Sequence, residues 1–226
     1  TPSGHRTPAV VVTLPVLGLD VDTVKANGWM IQQALACGIH GVHLCRARDP
    51  EAVREFVRQS RYPIHHQGMD LAGGLKEGVR GMGSDAFARE IWGMTRQEYF
   101  KSADVWPLNP KGEIMLGVKI EDPHALRNCE STVRVPGLAF CESGPRDMSL
   151  SYGYLEGRAD PPLPPEIVAA NDRVHAAADA AGIAFLNNVL PDNVIATIEN
   201  GVDIGAGGSE EAAIIARRHS GRVMPW

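Results

Sequence analysis

Two stretches of the chain decide its fold: residues 114–121 are IMLGVKIE, and residues 138–149 are LAFCESGPRDMS. Each begins as a short apolar strand and leads to a carboxylate, Glu121 in the first stretch and Asp147 after a Gly-Pro turn in the second. An ionised carboxylate is costly to bury unless a positive group meets it. Because successive parallel strands end at one edge of a sheet, the two acids would lie side by side and offer oxygen ligands to a divalent metal.

Strand-like and helical segments alternate along the whole chain, which predicts a parallel sheet covered by helices. The predicted strands are residues 8–14, 41–45, 114–120, 138–141, 183–187 and 202–207. The predicted helices are residues 22–37, 50–60, 96–103, 123–129, 165–181, 192–199 and 209–219, and residues 62–83 are predicted to be a loop.

The short apolar strands, with polar chemistry at their carboxyl ends, favour a (β/α)8 TIM barrel over an open doubly wound sheet. Six strands are two short of closure, and a complete barrel typically uses about 250 residues. We therefore expect one barrel domain over residues 1–226, with the first two strand–helix units absent at the N-terminus.

Composition narrows the class of protein. The chain is 44% hydrophobic and 22% charged, with a net charge of −5, which argues against nucleic acid or an anionic membrane as its main partner. It contains no apolar run of the roughly 20 residues that a membrane span needs, and residues 1–7 do not resemble a signal peptide. Its four cysteines form no CxxC motif, so we expect a cytoplasmic protein without disulfides.

Four motifs together resemble the HpcH/HpaI aldolases: GVRGMGS at 78–84, VKIED at 118–122, VPGLAF at 135–140 and GPRDMS at 144–149. The resemblance extends in consistent order from Pro8 to Arg217, and the motifs that contain Glu121 and Asp147 are its most specific part. These aldolases are metal-dependent class II enzymes that cleave 4-hydroxy-2-oxo acids, such as 4-hydroxy-2-oxoheptanedioate, to pyruvate and an aldehyde. The resemblance implies the pyruvate type of TIM barrel and an aldehyde-lyase activity.

The resemblance also implies roles for site residues. Glu121 and Asp147 match the acids that hold Mg²⁺, Mn²⁺ or Co²⁺ in the family, and this metal stabilises the pyruvate enolate. The backbone around Gly144, Pro145 and Arg146 matches the segment that binds the pyruvate carboxylate. The alternative for the two acids is a structural role, as ion-pair partners of basic neighbours at the barrel rim.

Three departures from the family pattern affect the site. The family has an arginine on the strand that corresponds to residues 10–14, where this chain has Thr13 and no arginine. The family's Gln-Ile-Glu is Lys119-Ile120-Glu121 here, and strand alternation places Lys119 on the same face as Glu121. Lys119 would either supply the missing positive charge, at some loss of metal affinity, or be a structural counter-ion. The family's Asp-x-Glu-His strand, which carries its catalytic dyad, has no match in this sequence.

Three more residues are candidates for the site. His43 and Arg46 lie at the end of the second predicted strand, where His43 would be a general base or an ordinary core histidine and Arg46 would carry charge for the substrate. Arg80 would contact substrate at the mouth of the barrel or be a solvated loop residue.

The favoured hypothesis is a carbon–carbon lyase that acts on a small 2-oxo acid and an aldehyde, assembled as a homo-oligomeric trimer or hexamer as the family is. One alternative is a diverged lyase acting on another 2-oxo acid or an acyl-thioester, similar to the citrate lyase β-subunit. The other is a non-catalytic barrel that serves as an assembly subunit.

Overall fold

The computed structural model describes residues 9–70, 74–156 and 162–222. Its strands are β1 (Val11–Leu17), β2 (Gly41–Cys45), β3 (Val105–Trp106), β4 (Ile114–Ile120), β5 (Phe140–Ser143), β6 (Ala184–Asn188) and β7 (Ile204–Ala206). Its helices are α1 (Val21–Ala36), α2 (Pro50–Ser60), α3 (Ala86–Trp92), α4 (Arg96–Ser102), α5 (Pro123–Arg127), α6 (Cys129–Thr132), α7 (Pro145–Ser151), α8 (Pro165–Ala181), α9 (Val194–Glu199) and α10 (Glu210–Ser220). The predicted strand start at Pro8, the segment 1–7 and residues 71–73 of the predicted loop lie outside the described residues.

The strands form one sheet in the order β1-β2-β4-β5-β6-β7, with the two-residue β3 paired to the beginning of β4. Every pairing is parallel. The carboxyl ends of the strands therefore lie along one edge, and the helices carry the chain back to the other edge. The predicted parallel α/β architecture is confirmed.

The two faces of β4 differ in chemistry. Leu116, Val118 and Ile120 are buried and belong to the apolar core beneath the helices. Gly117 and Lys119 face the other way, and Glu121 follows in the same alternation. Gly117 is needed here, because a Cβ atom would lie 2.2 Å from the Phe140 ring of the neighbouring strand.

Helix caps fix the points where the chain turns. Asp49 accepts a hydrogen bond from the N–H of Glu51 ahead of Pro50, which starts α2 as predicted. Gly182 ends α8 with a φ of 68°, a left-handed conformation that glycine adopts without strain.

The structure adds three elements that the sequence patterns did not predict: β3, α3 and α7. None exceeds seven residues, so hydrophobic periodicity has too few positions to reveal them. Within the described ranges, no helix is both long enough and apolar enough to cross a membrane.

Candidate active site

Glu121 and Asp147 lie at the carboxyl edge of two neighbouring strands. Glu121 directly follows β4, and Asp147 lies in the first turn of α7, which follows β5. The strands are paired in register up to Ile120 and Ser143, and the Gly144 N–H continues the pairing with a 3.1 Å hydrogen bond to the Ile120 carbonyl. The structure thus brings together the two acids that the sequence singled out.

The two acids differ in their surroundings. Glu121 is 3% exposed, whereas the Asp147 side chain is 48% exposed. Burial raises the pKa of Glu121, and the negative charge of Asp147 raises it further, against the opposing effects of Lys119 and Arg46. Two carboxylates that repel each other in this way form a set of hard oxygen donors that a divalent cation would stabilise.

Arg46 contacts both acids. Its backbone N–H donates a 2.9 Å hydrogen bond to Glu121 Oε1, and its guanidinium Nη2 lies 3.6 Å from Asp147 Oδ1. Arg46 has a φ of 48°, an unusual value for a residue other than glycine, and this turn follows the end of β2. Neighbouring hydrogen bonds from the Ala47 N–H to Lys119 and from the Gly18 N–H to Cys45 hold the turn in place.

Gly144 allows Glu121 to approach the β5–α7 turn. A Cβ atom on Gly144 would lie 2.5 Å from the Glu121 Cβ and 2.9 Å from its Oε2. The Gly144 N–H is already bonded to Ile120, and Pro145 has no N–H to offer. An anion at this turn would therefore depend on the backbone amides of Arg146 and Asp147, a narrower donor set than the resemblance implied.

Lys119 and Glu142 face each other across β4 and β5. They are register partners, and Lys119 Nζ lies 3.4 Å from Glu142 Oε2. Burial lowers the pKa of Lys119, but the negative charges of Glu142 and Glu121 outweigh this effect and leave the pKa raised. Lys119 is therefore a fixed positive charge beside the two acids.

His43 lies deeper in the same face of the sheet. It is paired in register with Gly117, four residues and roughly 13 Å of strand below Glu121. It is 5% exposed, its ring is tilted against Phe140, and its Nδ1 lies 3.5 Å from Glu142 Oε2. Burial, together with the charge of Lys119, lowers the pKa of His43 to about 4. The ring is thus neutral at pH 7 and lies beside Glu142 rather than beside Glu121 and Asp147. This position gives no support to the general-base role predicted for it.

Arg80 is the one predicted site residue that the structure places at the opposite edge. Its N–H is bonded to the carbonyl of Arg61, just after α2, and Arg61 in turn pairs with Asp104, just before β3. Arg80 is 1% exposed, with its guanidinium 4.2 Å from the centre of the Tyr62 ring and bonded to the Tyr99 hydroxyl. The prediction that Arg80 contacts substrate at the barrel mouth is corrected accordingly: backbone pairing carries it to the amino edge of β4.

Two residues near the acids were not predicted to belong to the site. Cys45, which ends β2, contacts Glu121, and burial followed by the charge of Glu121 raises its pKa to about 11. Glu142 lies within the 138–149 stretch and is the ion-pair partner of Lys119. Strand alternation could have identified both, because Cys45 and Glu142 share the face of their strands with His43 and Phe140.

Asp122, the next residue after Glu121, has a different role. It is 2% exposed and caps α5 by accepting hydrogen bonds from the N–H groups of His124 and Ala125. Arg48 donates a 2.9 Å hydrogen bond to its other oxygen. These contacts overcome the effect of burial and lower the pKa of Asp122.

No cluster of three or more His, Cys, Asp or Glu side chains able to hold a metal occurs in residues 9–70, 74–156 and 162–222. A cation at Glu121 and Asp147 would thus have two protein ligands and would take its remaining oxygens from substrate and water. The donor set fits Mg²⁺ or Mn²⁺, which are commonly held by one or two carboxylates and complete their coordination in this way.

Comparison with known proteins identifies the family. The family model described as HpcH/HpaI aldolase/citrate lyase matches residues 19–216. A 2-keto-3-deoxy-L-rhamnonate aldolase from Klebsiella pneumoniae is 26% identical over 182 residues, which cover 80% of this chain and 61% of the relative. A protein of the same name from Salmonella schwarzengrund has the same identity and coverage. The chain therefore spans about three fifths of the length of these curated relatives.

Solved structures show the same fold. The HpcH/HpaI aldolase from Desulfitobacterium hafniense superposes with a TM-score of 0.62 at 22% identity, over 94% of this chain and 70% of that chain. A macrophomate synthase superposes with a TM-score of 0.58 at 19% identity, over 94% of this chain and 64% of that chain. At such identities these likenesses establish the barrel-type α/β fold.

Proposed function

Because the chain belongs to the HpcH/HpaI aldolase/citrate lyase family, we propose that it is a metal-dependent carbon–carbon lyase that cleaves or forms a 4-hydroxy-2-oxo acid. The observation that carries the proposal is the meeting of Glu121 and Asp147 at one edge of β4 and β5, with the pKa of Glu121 raised by burial and by Asp147. An acid pair in this state is suited to binding a cation.

Glu121 and Asp147 would hold Mg²⁺, Mn²⁺ or Co²⁺, which supplies Lewis-acid stabilisation of negative charge on a 2-oxo acid. The chain's own residues would position and neutralise the substrate. Arg46 places a guanidinium beside Asp147, where it would bind a carboxylate. Lys119 adds a second cation on the side of Glu142.

The proposal assigns no proton-transfer residue. His43 is neutral and buried away from the acids, and the raised pKa of Lys119 keeps its ammonium protonated. The Arg146 and Asp147 amides would orient the carboxylate of the 2-oxo acid at the β5–α7 turn.

The test is turnover of the purified protein with pyruvate, an aldehyde and Mn²⁺, with and without EDTA. We expect EDTA to abolish turnover, and Glu121→Gln and Asp147→Asn each to reduce it at least 100-fold, the usual scale for loss of a group that stabilises developing charge. Asp179→Asn is the matched control, because this exposed acid on α8 should leave turnover unchanged. Full activity in EDTA, or in both site variants, would refute the metal mechanism.

The Lys119–Glu142 pair also supports a second candidate, a diverged lyase that acts on another 2-oxo acid or on an acyl-thioester. The pair changes the charge of the surface that a substrate would meet, relative to the family's glutamine. A panel of 2-oxo acids and acyl-CoA thioesters, assayed with the same variants, separates the two candidates. A chain inactive on all of them, yet stably assembled, would favour the non-catalytic alternative.

We further propose a homo-oligomer, a trimer or hexamer, in a cytoplasmic setting suited to its four unpaired cysteines. The barrel would be a single domain. Light scattering coupled to size-exclusion chromatography measures the assembly, and a monomer at micromolar concentration would contradict it.

A further inference from the structure

Three ionisable side chains meet on the inward face of the sheet, beneath the two acids. Glu142 Oε2 lies 3.4 Å from Lys119 Nζ and 3.5 Å from His43 Nδ1. The three side chains are 14%, 23% and 6% exposed, respectively. Charged groups are rarely placed in such positions without partners, because desolvation costs them several kcal/mol.

Lys119 has two possible carboxylate partners, and it contacts one of them. Glu121 is close enough to influence the Lys119 ammonium, but in the described part of the chain the ion pair is made with Glu142. Glu142 is the register partner of Lys119 on the adjacent strand, so the pairing follows from the sheet itself. His43, held neutral, adds no charge to this pair.

The choice of partner matters for a cation at Glu121. An ammonium paired with Glu121 would occupy one of its oxygens and cancel its charge. An ammonium neutralised by Glu142 leaves the Glu121 carboxylate, whose Oε1 accepts the Arg46 N–H, with its charge uncancelled beside Asp147. Removal of Glu142 would release Lys119 to move towards the only other buried carboxylate it senses within the described residues, which is Glu121.

We propose that Glu142 is a positioning residue that holds the Lys119 ammonium away from Glu121 and so keeps the Glu121–Asp147 pair available to a divalent cation. The proposal rests on the proposed function, because it concerns the cation site assigned there. Glu142 itself touches neither acid and acts through Lys119.

The test is Mn²⁺ affinity of the purified chain, measured by the electron paramagnetic resonance of free Mn²⁺ without substrate. Glu142→Gln should weaken Mn²⁺ binding about tenfold, the lower end of the losses seen when a residue behind a metal ligand is removed. Lys119→Met alone should change affinity less than threefold, because the ion pair with Glu142 already holds the ammonium away from the Glu121 oxygens. Glu142→Gln combined with Lys119→Met should restore affinity to within threefold of wild type, because the freed ammonium is gone.

A tenfold loss that persists in the double variant would overturn the proposal, since Glu142 would then act without Lys119. So would an unchanged affinity in Glu142→Gln. If Glu142→Gln fails to fold by circular dichroism, two other variants decide. Glu142→Asp keeps the charge and should stay within threefold of wild type. Tenfold tighter binding in Lys119→Met would show that the ammonium opposes the cation despite Glu142, and would also overturn the proposal.

The outcomes that would refute the proposed function differ from those that would refute the role of Glu142. If wild-type protein binds no Mn²⁺ at millimolar concentration, or binds it equally well in Glu121→Gln, the acid pair is not the cation site and both proposals fall. If Glu121→Gln abolishes binding while Glu142→Gln does not alter it, only the role of Glu142 is wrong.

Discussion

The backbone N–H of Arg46 donates a 2.9 Å hydrogen bond to Glu121 Oε1, although the two residues are 75 positions apart and Arg46 has a φ of 48°. A non-glycine residue in the left-handed region carries a strain of about 1–2 kcal/mol. This strained turn aims a main-chain donor at the more buried of the two acids, while the same residue's guanidinium lies beside the other. Arg46 is therefore a link between the acids.

Substitution of Arg46 separates the backbone strain from the contribution of the guanidinium. Arg46→Ala keeps the strain and removes the guanidinium, whereas Arg46→Gly removes both. We expect the free energy of unfolding of Arg46→Gly to exceed that of Arg46→Ala by about 0.5–1 kcal/mol. The relief of backbone strain is larger than the conformational entropy that glycine loses on folding. Both should lose turnover about equally, because both lack the guanidinium. Urea unfolding and steady-state kinetics measure the two effects, and a more stable alanine variant would contradict the strain.

Gly144→Ala should damage the site directly. The new Cβ atom would lie 2.5 Å from the Glu121 Cβ, so Glu121 or the β5–α7 turn must shift. We expect Mn²⁺ affinity to fall at least tenfold and the free energy of unfolding to fall by about 1–3 kcal/mol. Gly81→Ala is the matched control, because a Cβ atom there meets nothing within 4 Å. Equal Mn²⁺ affinity and equal stability in the two variants would show that the site does not depend on the close approach of Glu121 to Gly144.

His43 should make stability depend on pH. Its folded-state pKa of about 4 lies below the ordinary 6.5, so its contribution to stability is present above pH 6.5 and is lost as the pH falls towards 4. The full loss is on the order of 3 kcal/mol. His65, whose pKa is also lowered by burial, acts in the same direction, so the informative quantity is the difference between wild type and His43→Leu.

Urea unfolding at pH 7.5, 6, 5 and 4 gives this difference. We expect wild type to lose more stability than His43→Leu as the pH falls through this window. Parallel curves for the two proteins would mean that His43 titrates near its ordinary pKa and is not desolvated.

Asp104 should be important for stability, although it lies just before β3 and not at the Glu121–Asp147 site. It is fully buried, accepts hydrogen bonds from Arg61 at 2.7 and 3.1 Å and receives a third from Asn109. Asp104→Ala leaves the buried Arg61 charge unpaired and should cost about 3–5 kcal/mol. Glu130→Gln, which removes a half-exposed partner of Arg173, should cost less than about 1 kcal/mol. Thermal unfolding compares them, and equal losses would refute the importance of burial.

The acid pair could be predicted from sequence because it depends on two regular features, strand alternation and the shared edge of parallel strands. Glu121 and Asp147 follow apolar strands, and the structure brings them together. The contribution of the Arg46 backbone could not be predicted, since no residue pattern marks a left-handed arginine. Strand alternation places Glu142 on the same face as Phe140, but its identification as the partner of Lys119 requires the register of β4 and β5.

The location of Arg80 could not be predicted from the sequence, because the residue lies in a loop. It belongs to the predicted loop at 62–83, and its location depends on pairing with the chain after α2, a contact between irregular segments that periodicity does not encode. The two-residue β3 and the seven-residue α3 and α7 escaped prediction for a related reason, because tertiary contacts rather than local pattern stabilise such short elements.

The adjacent acids Glu121 and Asp122 have pKa values shifted in opposite directions. On acidification, Glu121 takes up its proton first, while Asp122 stays ionised at the N-cap of α5. Release of a bound ion by mild acid would thus be reversible, because the carboxylate that is discharged is not the one that anchors the helix.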